Sequence, residues 1–185
     1  AIKPDPANSD AVLGKQWARC AGRLNGLYLF GQDTINLDLS VLNNPHFKSK
    51  LYDYKKLPLL RDSLYAYASA AISANLVETE FKRLSNSDYT AMNGYLNGFF
   101  KAIDAGKNSE VANSQWSGAY FKHGLALLNE VMNCALNLEK YHARFDAQVQ
   151  PSLQVEALST VFASTTPPNL TVQSLQSKKP LKPAK

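Results

Sequence analysis

The apolar residues between Trp116 and Phe145 constrain this chain more than any other feature. Trp116, Tyr120, Gly124, Leu127, Val131, Cys134, Leu138, Tyr141 and Phe145 follow one another at steps of three and four. That spacing averages about 3.5 residues and keeps one side of a helix turned toward a neighbour through about four heptads. A stripe so long must be buried along other helices. It predicts one helix over about 115–147 and a bundle around it.

A second stripe runs through Leu13, Trp17, Cys20, Leu24, Leu27 and Tyr28. It predicts a helix from about Ser9 to Phe30, capped by Asn8, Ser9 or Asp10 and stopped by Gly31. Gly14, Gly22 and Gly26 weaken it by about 1 kcal/mol each against Ala, and they permit close approach of a neighbour. Pro58 suits the first turn of the next helix, which is expected to reach about Leu84. Its Leu60, Leu64, Tyr67, Ala71 and Ala74 share a face. Ser85-Asn86-Ser87-Asp88 reads as a turn and cap, leading to a helix over about 88–105 that Gly106 ends. Asn108 and Ser109 read as the start of a short turn, and Gly94-x-x-x-Gly98 as a site of close packing.

The expected fold class is therefore all-α: a bundle of about four main helices with an extended inter-helix arm and a non-helical C-terminal tail. The bundle domain spans 1–147, with the arm at 31–57 between its first two helices, and the Pro/Lys-rich tail spans 148–185. In the arm, Ile35, Leu37, Leu39 and Val41 alternate with polar residues. No second alternating run offers a partner strand, so the segment reads as an extended stretch lying on the bundle. The 45% apolar content suffices for a core in a chain of 185 residues. No apolar run approaches the length that a membrane-spanning helix needs.

Cys20 and Cys134 lie one on each stripe. Antiparallel packing of the first and last helices brings them face to face. A disulfide there closes a loop of about 114 residues, worth roughly 4–5 kcal/mol in the chain-entropy model. The alternative is a pair of buried thiols packed as small hydrophobes. A disulfide, and a sequence that begins at Ala1 and not at Met, point to a periplasmic or secreted protein.

Catalytic and metal chemistry find little footing. Glu139 and His142 have the Glu-x-x-His spacing of di-iron bundles, but such sites need two copies and further inward glutamates. No metal, cofactor or catalytic residue is therefore expected, and His123 reads as a partly exposed polar side chain. The net charge of +5 sits largely in the tail, where Lys178, Lys179, Lys182 and Lys185 face only Glu156. A nearly neutral body argues against nucleic acid as the main partner.

Two segments carry the features of interaction elements. Phe47, Lys48, Lys50, Tyr52, Tyr54, Lys55 and Lys56 interleave rings and bases in the arm. Val155, Leu158, Val161 and Phe162 supply apolar anchors in the tail, followed by Lys178, Lys179 and Lys182. A solvated tail has no need of large apolar side chains. The function expected is a non-enzymatic structural or interaction protein, a subunit or accessory of a cell-envelope or extracellular assembly, with other proteins as partners. A second reading is a helical ligand-binding or catalytic domain with a pocket lined by some of Tyr65, Tyr67, Tyr95, Trp116, Tyr120 and Tyr141. A third is a polyanion binder acting through residues 47–56 and the terminal lysines.

Overall fold

Ser9 starts the first helix as its sequence suggests. Its Oγ accepts a hydrogen bond from Val12 N at 3.3 Å and its carbonyl accepts Leu13 N. The computed structural model describes residues 8–34, 57–106 and 109–155. They form α1 (Asp10–Thr34), α2 (Leu57–Ala71), α3 (Ala74–Asp104) and α4 (Ser109–Tyr141). Three 3-10 turns follow at His142–Arg144, Asp146–Gln148 and Pro151–Leu153. The fold is the all-α bundle that the two stripes imply. No described helix is long and apolar enough to cross a membrane.

The helices run up, down, up and down, and α1 packs against each of the other three. α2 is antiparallel to α1: Arg61 bonds Asn25 near one end, and Ala71 and Ile72 lie over Gly14 near the other. α3 is parallel to α1, with Gly22 against Phe81 and Gly26 against Ser85 and Asp88. α4 is antiparallel to α1, pairing Cys134 with Cys20 and Asn137 with Gln16.

Glycine makes the α1–α3 contact possible. A Cβ built on Gly26 would stand 2.5 Å from the Ser85 carbonyl oxygen, and one on Gly22 would collide with the Phe81 carbonyl. Backbone therefore meets backbone at both positions. Gly94 and Gly98 differ: a Cβ there meets nothing within 4 Å, so their spacing does not mark close packing.

The interior gathers both stripes. Trp17 is fully buried and meets Tyr67 and Phe145 edge-on, with ring centroids 6.2 and 5.5 Å away. Leu127, Val131, Cys134 and Leu138 are buried along α4. The α-helix stops at Tyr141 and not near Ala147. Phe145 stays in the core nonetheless, because the 3-10 turns carry it across Trp17. Val149 is also buried, and Leu153 and Val155 pack against the core. The chain thus remains on the domain through Val155, past the point where the tail was expected to begin.

Three boundaries differ from the sequence reading. Gly31 does not stop α1, which continues to Thr34. Ser109 opens α4 directly instead of a short turn. Most importantly, Ser85–Asp88 is no turn but lies inside the unbroken α3, and the chain reverses at Ile72-Ser73. Ser85 and Asp88 are buried because α1 and α4 supply partners for them. The reversal itself uses neither Gly nor Pro. Ser73 stands at the N-cap position of α3, its carbonyl accepting Val77 N. Gly106 does end α3 in the expected manner, with φ +76°.

Candidate functional site

A polar stripe runs beside the apolar one on three helices. α1 contributes Arg19 and Arg23, four residues apart and so on one face. α3 contributes Glu80, Asp88 and Tyr95, and α4 contributes His123 and Glu130.

Glu130 sits between the two arginines. One of its oxygens accepts Arg19 Nε at 3.1 Å, and the other lies 2.7 Å from Arg23 Nε. The Arg23 Nε–H is not aimed well enough for a hydrogen bond, so that contact is an ion pair by proximity. Arg19 also reaches Glu80 at 4.0 Å, and Glu80 accepts Arg83 Nη2 at 2.6 Å. The Arg23 guanidinium approaches Asp88 Oδ1 at 3.8 Å.

Asp88 is the most deeply placed member, only 1% exposed. Its Oδ1 lies 2.9 Å from His123 Nε2. A carboxylate only accepts, so Nε2 carries the proton and donates. His123 Nδ1 then faces Tyr95 Oη at 3.3 Å, as acceptor of the phenol proton when the ring is neutral. The result is an ordered Tyr–His–Asp relay between α3 and α4, steadied from α1 by Arg23. His123 is the partly exposed polar side chain expected from sequence, 20% exposed, and both of its ring nitrogens are engaged.

A second polar group closes the other side of the core. Tyr67, fully buried on α2, donates through Oη to Asp146 Oδ1 at 2.6 Å. His142 Nδ1 donates to the same carboxylate at 2.9 Å, and Val155 N donates to Tyr67 Oη at 3.3 Å. Gln154 Nε2 bonds the Asp146 and Val149 carbonyls. This group pins the turns after α4 to the body.

Partial burial pushes the Asp146 carboxyl up, but the hydrogen bonds from Tyr67 and His142 and the charge of His142 outweigh it. Asp146 therefore ionises below the usual carboxylate range. Its ionised form binds better in the folded protein, so the stabilisation is complete above the ordinary Asp range. It is lost as pH falls through the lowered folded value. Asp146→Asn is expected to flatten that acid limb of the stability profile. Acid melts of both proteins, with the Asp146 carboxyl titration followed by NMR, check this.

Cys20 and Cys134 form a disulfide across α1 and α4, with Cα atoms 6.6 Å apart. Both are fully buried.

Comparison with family models, curated proteins and solved structures finds no match.

The Cys20–Cys134 pair is brought together. Of the proposed partner-binding residues only Val155 is described, and it packs on the domain's own core. Phe47, Lys48, Lys50, Tyr52, Tyr54, Lys55, Lys56, Leu158, Val161, Phe162, Lys178, Lys179 and Lys182 lie outside the described residues. Among the described residues the tyrosines have separate partners: Tyr65 packs edge-on to Phe81, Tyr67 bonds Asp146, Tyr95 faces His123, and Tyr141 lies under Arg144 and Lys140. The side chains of Trp116 and Tyr120 are outside the described set. Glu139 is exposed while His142 turns to Asp146, so the Glu-x-x-His pair does not converge. No group of three or more metal-ligating residues forms among the described residues.

The relay itself was missed. Its signal was a polar residue at heptad spacing beside the apolar seam: Asp88 and Tyr95 on one helix, His123 and Glu130 on another.

Proposed function

We propose that this chain is a non-enzymatic interaction or structural protein of a cell envelope or extracellular space, a subunit or accessory of a larger assembly. One observation carries this reading: its two cysteines are joined in the interior of the bundle. Such bonds persist in oxidising compartments and are rare in the cytosol. Half-buried ion pairs fit the structural part of the reading. Arg19, Arg23, Glu80 and Glu130 engage one another and hold three helices in register.

A stapled bundle is a firm base for segments that meet partners. Residues 35–56 and 156–185 carry the interleaved rings, apolar anchors and lysines expected to do so. The reading is tested by affinity capture from the source's own extract, using the full chain and a chain ending at Val155. The truncated chain should retain its melting temperature and lose protein partners. Retention of every partner by the truncated chain contradicts a role for the tail. Capture of nucleic acid with a steep loss on adding salt favours the polyanion reading instead.

A further inference from the structure

We infer that Tyr95 is a base-activated phenol, the position on this domain that accepts an acyl group from an activated ester. This goes beyond the interaction role and does not depend on it.

A phenol is a poor nucleophile near neutral pH because its proton leaves only around pH ~10. It becomes reactive when a base within hydrogen-bond reach takes the proton as the new bond forms, and when a third group orients the base. Tyr95 has both. His123 Nδ1 stands 3.3 Å from Tyr95 Oη, a loose contact of the kind that tightens during reaction. Asp88 Oδ1, 2.9 Å from Nε2, fixes the tautomer that leaves Nδ1 basic. Asp88 is itself immobilised, buried in α3 with the Arg23 guanidinium 3.8 Å away.

Access separates Tyr95 from Tyr67, and the adjacent imidazole separates it from the equally half-buried Tyr65 and Tyr141. Tyr95 is only partly buried, and the His123 side chain is 20% exposed. Tyr67 has the opposite situation: it is fully enclosed, its hydroxyl already donating to Asp146 and accepting from Val155. Tyr65 rests on Phe81. Its charged neighbour is Lys82, whose ammonium has no lone pair to take the phenol proton.

The step balances simply. Tyr95 Oη attacks the ester carbonyl carbon while its proton passes to His123 Nδ1. The C–O bond to the leaving group breaks, and the imidazolium returns the proton to the departing oxygen. The products are a Tyr95 ester and the free alcohol, with His123 restored. One acyl group is taken up per chain.

The test uses the full disulfide-bonded chain and p-nitrophenyl acetate. Nitrophenol release is timed, and peptide mass spectrometry locates the acetyl groups. Tyr95 should be acetylated at least ~10-fold faster than Tyr65 or Tyr141, and His123→Gln should slow it by about 100-fold. Asp88→Asn should slow it less and move its pH profile. Rates at Tyr65 and the near-UV spectrum report whether each variant is folded. Tyr95→Phe, which changes a single hydroxyl, should abolish the fast phase of release. The inference is overturned if Tyr95 reacts no faster than Tyr65, or if His123→Gln leaves its rate unchanged. It is equally overturned if the fast phase survives in Tyr95→Phe.

Discussion

Replacing Cys20 and Cys134 together by alanine should lower stability by about 4–5 kcal/mol, because the bond closes a loop of well over 100 residues. The two cysteines are separated by 114 positions. Every conformation of the unfolded chain is restricted by that closure, whereas the folded state already holds α1 against α4 through Gln16–Asn137 and Arg19–Glu130. The fold of the variant should therefore survive at low temperature. In a chain of this size the loss corresponds to a fall in Tm of roughly 10–20 °C. Thermal melts of the variant against the native protein check the figure. Single replacement should do no better than the double, since it leaves one unpaired thiol in the same interior position.

The second large effect concerns glycines, and its sign depends on position. Gly22→Ala and Gly26→Ala each put a methyl group against a backbone carbonyl on α3, at Phe81 and Ser85. Neither obstacle is the end of a flexible side chain, so α1 and α3 must separate. Overpacking of this kind costs about 1–3 kcal/mol, and the gain in helix propensity returns about 1 at most. The double variant should lose about 2–4 kcal/mol, less than the sum of the single losses, because one separation of the helices relieves both clashes. Gly94→Ala and Gly98→Ala meet open space and should instead stabilise by up to about 1 kcal/mol each. Denaturant melts of the four single variants separate the two pairs. Equal effects at all four positions would contradict the close α1–α3 crossing.

The two apolar stripes were legible in the sequence because periodicity is a local property. Leu13, Trp17, Cys20 and Leu24 on one helix, and Leu127, Val131, Cys134 and Leu138 on another, are buried as their spacing requires. The sulfur pair followed from the same reasoning. The polar half of the interior was not legible, and Ser85–Asp88 shows why. Ser, Asn and Asp favour turns when their side chains must satisfy local backbone. Here Ser85 accepts from Asn25, and Asp88 accepts from His123. Those partners are distant in sequence, and only the folded bundle brings them near. With the partners supplied, the helix runs on through residues that alone would end it.

The reversal at Ile72-Ser73 is hidden for the complementary reason. No Gly or Pro marks it, and the run of small residues around it continues a helical pattern smoothly. The break is set by what lies beneath: Ile72 and Ala71 settle on Gly14 of α1. The extension of the domain to Val155 likewise depends on a partner in another element, the Tyr67 hydroxyl.

Peptide mapping of the native protein without reduction addresses the arrangement of α1 and α4 most directly. Digestion should yield one linked species joining the peptide that contains Cys20 to the peptide that contains Cys134, with no alkylation at either sulfur. Two freely alkylated cysteines in unreduced material would contradict the stapled bundle, and with it the oxidising compartment proposed for this protein.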